Sequence, residues 1–456
     1  MKFEFEHLGP ISQGEIELGK LTVFCGKNNT GKTYVSYLIY GFLYFLRENV
    51  TITDNFSFGI SVDNEEDEIG VINIDAWISE LSILKEKIES SFVEYLPNVF
   101  NVDRDKIKGV SVLFGDSEGN NQVSRETVLN EIEVFTSNVK DVNIESIENE
   151  KLIVRIDTKK GKRSVLDACK VMCYMISLDL LFDYRLDQIY MLPAERSGLN
   201  MFYRELNLNR NNVFYGLMSK KNTEDIEGRI AKYPLPISEY INLLNRLDSE
   251  GRNVATYSEL AATLEKKIVC GKFSISQNGS ILFHIKDKQN LDFHLSSSTA
   301  KSLFGLDYLL KNELYKGCIL IIDEPEQNLH PDNQRYIARL LCKLANAGVD
   351  VIVSTHSDYI VREINNLIIL GNRFNGYKKL MEEYGYEEDE LITKDEVSGY
   401  IFKDQTIDKV TVDDKGMQMD VFDDVINSMN EASDDIYFTY REECENDEEQ
   451  DDIGRF

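Results

Sequence analysis

An eight-residue segment near the start of the chain, with the pattern G-x-x-x-x-G-K-T, constrains the fold more than any other feature. Its residues are Gly26, Lys27, Asn28, Asn29, Thr30, Gly31, Lys32 and Thr33. Residues 21–25 before it are apolar and β-branched enough for a buried strand, and residues 33–46 continue as a helix. A strand, a glycine-containing loop and a helix start in this order predict a phosphate-binding unit in an α/β sheet.

The chemistry of this loop depends on its backbone N–H groups and on two side chains. Glycines let the backbone close around phosphate oxygens, and the helix N-terminus adds partial positive charge. Lys32 would reach the terminal phosphates, and the Thr33 hydroxyl would be a ligand of Mg²⁺. We therefore expect ATP and Mg²⁺ to bind here. An ordinary glycine-rich turn is the alternative, but it rarely occurs between such a strand and such a helix.

In two later segments, an apolar strand is followed by carboxylate or imidazole side chains. Residues 318–325, C-I-L-I-I-D-E-P, are typical of a parallel strand covered on both faces. Asp323 would hold Mg²⁺, directly or through water, and Glu324 would polarise the attacking water. The apolar residues 349–353 precede S-T-H-S, which puts His356 beside the γ-phosphate. Each segment alone could be a solvated turn or a structural histidine; together they predict one site.

The order of these segments resembles the ABC-type ATPase head shared by SMC-type proteins and the OLD-like, AAA_15 group. The resemblance is carried by the phosphate loop, a long insertion, I-L-I-I-D-E-P-E-x-x-L-H-P and V-S-T-H-S. It implies an α/β fold with a mixed sheet and flanking helices, and ATP hydrolysis. It also implies composite sites, in which the nucleotide held by one chain faces a signature segment of another.

Two more segments are identified from the same resemblance. The signature candidate is L-S-S-S-T-A-K-S-L at residues 295–303, where serines replace the two glycines of the usual L-S-G-G-Q. Its residues Ser296, Ser297 and Ser298 would contact the γ-phosphate of a partner chain, and a serine-rich helix cap is the alternative. In the segment L-P-A-E-R-S, Arg196 would contact phosphate or a partner subunit, against the alternative of a surface ion pair.

The chain is predicted to consist of five segments, two of which form this head. They are the N-terminal part of the head at 1–47, a mainly helical insertion at 48–186, the C-terminal part of the head at 187–371 with a helical segment at about 199–267, a small α+β C-terminal appendix at 372–440, and an acidic tail at 441–456. Strands are expected at 152–156, 273–276 and 281–285, and a hairpin from 400–402 and 410–412. The tail is interpreted as solvated and disordered, with docking or DNA mimicry as the alternative.

Charge limits the partners that the chain can attract. The net charge is −29, and residues 381–456 hold 26 acidic and 6 basic side chains, a net −20. This field opposes the approach of DNA, so direct nucleic-acid binding would need a local basic groove. The sequence contains no apolar stretch near the roughly 20 residues of a membrane span, and we expect a cytoplasmic protein.

The functional expectation is a homo-oligomeric ATPase subunit that controls a separate effector. Heptads do not persist long enough for a coiled-coil tether, and the pattern of a TOPRIM nuclease is not found in the sequence. The chain resembles the ATPase subunits of two-component anti-phage systems of the PARIS type, with the Septu type a near competitor. That resemblance implies an effector nuclease and a phage-encoded trigger protein as partners. The alternative is an ATPase that acts directly on DNA in repair or recombination.

Overall fold

A nine-stranded mixed sheet with helices on its faces organises the computed structural model. The structure describes residues 1–64, 69–115, 123–139, 142–148, 151–156, 164–183, 188–206, 233–247, 257–277, 279–285, 290–419 and 423–453. A second sheet of four strands and a third of three strands accompany the large one. This architecture is the predicted α/β fold with a mixed sheet and flanking helices.

The elements have the following bounds. The strands are β1 Lys2–Leu8, β2 Ile11–Glu17, β3 Leu21–Gly26, β4 Ile60–Asn64, β5 Ile69–Asn73, β6 Ser111–Gly115, β7 Val142–Glu148, β8 Lys151–Ile156, β9 Ile189–Leu192, β10 Gly271–Ile275, β11 Ile281–Ile285, β12 Asn290–Asp292, β13 Ile319–Asp323, β14 Asp350–Thr355, β15 Val397–Lys403, β16 Thr406–Val410, β17 Val412–Asp413 and β18 Gly416–Met417. The helices are α1 Lys32–Glu48, α2 Ile74–Phe100, α3 Arg125–Asn138, α4 Val165–Phe182, α5 196–206, α6 Leu235–Asn245, α7 Ser258–Leu264, α8 Ser298–Asn312, α9 Pro331–Asn346, α10 Asp358–Gly371, α11 Tyr377–Tyr384 and α12 Asp423–Ile453.

The large sheet has the strand order β6-β1-β2-β16-β15-β3-β14-β13-β9. Its last five strands, β15, β3, β14, β13 and β9, are parallel to one another. Every residue of β3 and of β13 is buried, as expected for strands covered on both faces. Because the carboxyl ends of these strands lie at one edge, the segments that follow them converge there.

An aromatic cluster fixes α1 between the sheet and the insertion. The rings of Phe42 on α1 and Phe114 on β6 stack with centroids 3.5 Å apart, and Phe3, Phe92 and Phe182 surround them edge-on. Each fully buried phenylalanine contributes roughly 1.5–3 kcal/mol of hydrophobic stabilisation. The helix that begins at the phosphate loop is therefore packed against four elements, β1, β6, α2 and α4.

The insertion at 48–186 contains more strand than expected. Helices α2, α3 and α4 occupy it, but β4, β5, β8 and β7 form a four-stranded antiparallel sheet, and β6 joins the edge of the large sheet. Only β8 was predicted from the sequence, because β4, β5 and β6 have five residues each and β7 mixes charged and polar residues with its apolar ones. A buried hydrogen bond of 2.9 Å from the Trp77 indole to the Ser177 hydroxyl ties α2 to α4.

The segment from 187 to 371 returns to the head through a small sheet. Strands β10, β11 and β12 form this antiparallel sheet, which confirms the strands predicted near 273–276 and 281–285. Helices α5, α6 and α7 lie in the predicted helical segment at 199–267. Its residues 207–232 and 248–256 lie outside the described residues.

The predicted C-terminal appendix at 372–440 is not separate from the head. Strand β15 pairs in parallel with β3, and β16 pairs with β15 and with β2, so the first strand of the expected hairpin, at 400–402, is part of the large sheet. The reason is burial: Tyr400, Ile401 and Phe402 cover both faces of the sheet, and the Tyr400 hydroxyl donates to the Glu17 carbonyl. An apolar strand such as β15 is stable where neighbouring elements cover both of its faces. The second strand of the hairpin is Thr406–Val410 and not 410–412, since residues 412–413 form β17, which pairs with β18.

Helix α12 begins near the end of the appendix and continues to Ile453. It therefore includes residues 442–452, which were expected to be a disordered acidic run. Residues 454–456 of the predicted tail at 441–456 lie outside the described residues. In the described parts of the chain, none of the helices is long and apolar enough to cross a membrane.

Candidate nucleotide-binding site

The phosphate loop leaves β3 at Gly26 and enters α1 at Gly31, as predicted. Both glycines have positive φ angles, 147° and 103°, and Asn29 between them has φ 63°. A Cβ atom on Gly26 would collide with the carbonyl oxygen of Phe402 in β15. Glycine is therefore required at the start of the loop both for its backbone angle and for its space.

Lys32 is buried inside this loop. Its ammonium donates hydrogen bonds to the carbonyls of Gly26, at 3.0 Å, and Lys27, at 2.9 Å. Burial lowers the pKa of Lys32, an effect that the neighbouring Asp323 opposes. The loop thus places one cation where the phosphates of a bound nucleotide would lie, and a phosphate would restore the favourable environment for its charge.

Asp323 and Thr33 meet as the metal prediction requires. The Thr33 hydroxyl donates to Asp323 Oδ2 at 2.9 Å, and the Ser354 hydroxyl donates to Asp323 Oδ1. In the described residues, no group of three or more His, Cys, Asp or Glu side chains could hold a metal. A hydroxyl and a carboxylate fit Mg²⁺ bound with a nucleotide, since Mg²⁺ takes few protein ligands and completes its shell with phosphate oxygens and water.

Glu324 and His356 face each other across the ends of β13 and β14. Glu324 Oε1 lies 3.7 Å from His356 Nε2, and the Glu324 side chain is 35 % exposed. Burial raises the pKa of Glu324, and the charge of Asp323 adds to this shift. Burial lowers the pKa of His356, and the charge of Lys32 adds to that shift. The pair therefore consists of a carboxylate with increased basicity and a neutral imidazole.

Sequence reasoning missed two side chains that bond to predicted site residues, one to His356 and one to Asp323. Glu326 Oε1 accepts the backbone N–H of His356 at 2.6 Å, and Ser354 donates to Asp323 as described. Burial raises the pKa of Glu326. Both residues lie within three positions of a predicted site residue, in D-E-P-E and in S-T-H-S. In the sequence, only their position at the ends of the two predicted strands indicated that they belong to the site.

The three serines of the signature candidate have different surroundings. Ser297 is the N-cap of α8, where its hydroxyl accepts the N–H of Ala300 at 3.1 Å, and Ser298 is exposed. Ser296 is buried and donates to the Phe293 carbonyl at 2.6 Å. The prediction that the Ser296 hydroxyl faces a partner is therefore wrong, because a local turn uses that hydroxyl. Ser297 and Ser298 lie at the surface, next to the exposed Leu295.

Helix α8 contacts the loop that follows β13 in the same chain. The Thr299 hydroxyl donates to the Asn328 carbonyl at 2.8 Å, and the Ser302 hydroxyl donates to the Gln327 carbonyl at 3.2 Å. The serine segment and the loop carrying Glu324 are thus joined directly. A displacement of α8 would be transmitted to that loop.

Arg196 has a different role from the two that were considered. It is 1 % exposed, and its guanidinium donates to the carbonyls of Asp323 and Glu324 at 2.6 Å each. Two further bonds of 3.1 Å reach the carbonyls of Pro193 and Ser302. The prediction of a phosphate or partner contact is therefore corrected, since these carbonyls surround the guanidinium. A surface ion pair is excluded for the same reason.

Among solved structures, the chain is similar to an SMC head bound to the C-winged helix domain of ScpA (11 % identity, 90 % of this chain and 96 % of that chain, TM-score 0.35). The SMC head domain from Thermotoga maritima (11 %, 90 % and 98 %, TM-score 0.30) and an SMC head with an extended coiled coil bound to the C-terminal domain of ScpA from Pyrococcus furiosus (14 %, 95 % and 98 %, TM-score 0.30) are also similar.

At these TM-scores and identities the solved structures carry no argument about function. No curated protein sequence matches the chain. A protein-family model, described as the AAA ATPase domain, matches residues 2–361, which include the phosphate loop, Arg196, Asp323, Glu324 and His356. This match spans more than three quarters of the chain, and the chain therefore belongs to the AAA ATPase domain family, AAA_15.

Proposed function

We propose that this chain binds ATP with Mg²⁺, hydrolyses it, and works as a homo-oligomeric subunit that controls a separate effector protein. One observation carries the hydrolytic part of the proposal. Lys32, Thr33, Asp323, Glu324 and His356 come from segments up to 324 positions apart and meet at one edge of the large sheet. Such convergence of a cation, two carboxylates and an imidazole suits phosphoryl transfer.

Each side chain has a defined task in this proposal. The phosphate loop and Lys32 bind the phosphates, and Thr33 with Asp323 holds the metal. Bound Mg²⁺ would supply charge neutralisation at the phosphate oxygens. Glu324 accepts a proton from the attacking water, a task favoured by its raised pKa. His356, 3.7 Å from that carboxylate, orients the water or the γ-phosphate as a neutral donor.

Self-association is supported by the exposed start of α8. Ser297, Ser298 and the 63 % exposed Leu295 present a helix N-terminus at the surface. An exposed helix start with small residues can approach a phosphate closely. In the proposed oligomer it faces the γ-phosphate held by the neighbouring chain, which completes the composite site.

A protein effector, rather than DNA, is supported by charge and by α12. Residues 423–453 contain 13 acidic side chains and one basic side chain. Five large apolar or aromatic side chains on this helix are 56–71 % exposed, namely Met429, Ile436, Tyr437, Phe438 and Tyr440. An acidic helix of this kind repels DNA and attracts a basic protein surface, and its apolar side chains supply contact area.

We propose that the effector is a TOPRIM-type nuclease, released when a phage-encoded trigger protein is sensed, as in two-component anti-phage systems of the PARIS type. Expression of the chain alone should then be harmless and give no DNA cleavage with Mg²⁺ or Mn²⁺. Expression together with the product of the neighbouring gene should protect cells from phage. Protection should disappear when the nucleotide cycle is blocked by Lys32→Ala or by Glu324→Gln.

Duplex binding and phage protection together test the second candidate, an ATPase that acts directly on DNA in repair or recombination. The membership of the AAA ATPase domain family is equally consistent with it. That candidate requires ATP-dependent binding of duplex DNA, measured by mobility shift at roughly 100 mM salt, where weak backbone contacts are screened. Tight duplex binding by the isolated chain, or full protection by both variants, would replace the effector proposal.

A further inference from the structure

Arg196 connects the segments that the proposed reaction needs. It begins α5, directly after β9, the edge strand beside β13. Its guanidinium donates to the carbonyls of Asp323, Glu324, Pro193 and Ser302, all within 3.1 Å. We propose that Arg196 is a positioning residue for ATP hydrolysis, which fixes the backbone of Glu324 and couples it to the start of α8.

The contacts explain why arginine occupies this position. A buried cation is costly unless it is paired or hydrogen-bonded, and four carbonyl oxygens together with the nearby carboxylates of Asp323 and Glu324 offset part of the cost of its burial. The carbonyls belong to three segments and lie around one plane. Arginine carries five donors in a planar fork, whereas lysine carries three on one atom. Lysine could therefore keep the charge but not all four contacts.

The backbone of Glu324 is the main target of this fork. Its φ angle is 50°, in the left-handed region that costs a residue other than glycine of order 1–3 kcal/mol. Its N–H donates to the Ser354 carbonyl at 2.9 Å, and its carbonyl accepts from Arg196 at 2.6 Å. Both polar groups of the residue are thus fixed. The strained conformation directs the carboxylate, and these two bonds maintain it.

The first turns of α5 also hold α8. Arg196 Nε donates to the Ser302 carbonyl, and Asn200 Nδ2, one turn later, donates to the Lys301 carbonyl at 2.8 Å. The Tyr240 hydroxyl of α6 in turn fixes Asn200, at 2.6 Å. Together with the bonds from α8 to Gln327 and Asn328, these contacts make α8 and the loop after β13 one unit. Engagement of the α8 start by a partner would therefore reach Glu324.

A residue that only stabilised the fold would change ATP affinity and turnover together, whereas a positioning residue should change turnover alone. Arg196 bonds the carbonyl of Asp323, the proposed metal ligand, so ATP affinity is compared here without Mg²⁺. Within the described residues, no hydrogen bond of Arg196 reaches the phosphate loop, so this nucleotide affinity should not depend on it. Only the turnover number should. A displacement of a reacting group by about 1 Å can cost on the order of 100-fold in rate.

The test uses Arg196→Lys, with Arg204→Lys as the matched control on the same helix. Arg204 contacts Tyr203 and Ser280, away from the site. Arg196→Lys should lower kcat by at least ~10-fold and leave the Kd for ATP within ~2-fold, as expected for lost positioning. Arg204→Lys should change neither. Should Arg196→Lys fail to fold, Ser302→Ala, which removes only the bond to Gln327, should lower kcat in the same direction.

This inference rests on the proposed hydrolysis, so a second readout is needed that is independent of activity. Hydrogen–deuterium exchange of residues 323–329 should be faster in Arg196→Lys than in the wild type and Arg204→Lys. Absence of turnover in the wild type would defeat the proposed function, and the exchange rates would still decide the role of Arg196. Unchanged kcat with unchanged exchange overturns the inference. Parallel losses of ATP affinity and kcat also overturn it, because they indicate general support of the fold.

Discussion

Replacing Glu324 with glutamine should separate ATP binding from ATP hydrolysis. The substitution keeps the shape of the side chain, and the bonds of the Glu324 backbone to Ser354 and Arg196 do not involve the carboxylate. Lys32, which would bind the phosphates, is also unchanged. The amide cannot accept the proton of water, so only the chemical step should be lost.

The expected size of this effect follows from the role of a general base. Removal of such a base costs roughly 10²- to 10⁴-fold in rate, equivalent to about 3–5 kcal/mol in activation free energy. ATP affinity should remain within ~2-fold or increase slightly, because a negative charge is removed near the triphosphate. Single-turnover phosphate release measures the rate, and equilibrium binding of labelled ATP measures the affinity.

A neighbouring carboxylate supplies the control for charge alone. Glu195 is exposed, and its charge contributes to the raised pKa of Glu324. Glu195→Gln removes a negative charge near the site without removing the proposed base, and it should retain most of the wild-type turnover. Equal ATP turnover in Glu324→Gln and the wild type would refute the assignment of the base. Equal losses in both variants would show that charge, not proton transfer, is involved.

Three further outcomes are expected. Lys32→Ala should abolish ATP binding, measured by calorimetry, because the buried ammonium inside the loop is lost. Retained affinity would contradict the proposed role of Lys32 in binding the phosphates. Ser297→Arg should leave the ATP affinity of a single chain nearly intact but weaken ATP-dependent association and hydrolysis together. Light scattering with and without ATP measures the association. An unchanged oligomer with unchanged turnover would mean that Ser297 only caps α8. Because burial raises the pKa of Glu324, kcat should fall on acidification at a pH above the ordinary carboxylate range, and single-turnover rates against pH should show this limb. Burial lowers the pKa of His356, so His356→Asn, which keeps a neutral side chain there, should retain this limb if Glu324 sets it.

The residues whose positions could be predicted are those that depend on local sequence. Lys32 and Thr33 follow a glycine loop, and Asp323 ends an apolar strand, so a few neighbouring residues determine where each side chain lies. The contact between Thr33 and Asp323 spans 290 positions, yet it follows once both segments belong to neighbouring parts of one parallel sheet. The order of the motifs made that sheet predictable.

Arg196 and β15 show why the rest could not be predicted. The four carbonyls around Arg196 belong to segments as far as 128 positions away, and a carbonyl leaves no mark in the amino-acid sequence. The pattern of β15 indicated a strand, but not that its neighbour is β3, about 375 residues earlier. The buried hydroxyl of Ser296 likewise depends on a turn at Phe293, and the serine run gave no sign of it. Tertiary contacts, rather than local propensity, determine these features.

The position of β3 between β14 and β15 has a consequence for synthesis of the protein. Strand β3 carries the phosphate loop, but both of its hydrogen-bonding neighbours lie at residues 350–403. During synthesis, both edges of this apolar strand therefore lack a partner until β14 has been made, after about three quarters of the 456 residues, and one edge lacks a partner until β15 follows, at almost nine tenths. Unpaired apolar strands are prone to aggregate. Chaperones that shield extended segments should accordingly matter more for the yield of this protein than for one whose nucleotide-binding strands are consecutive.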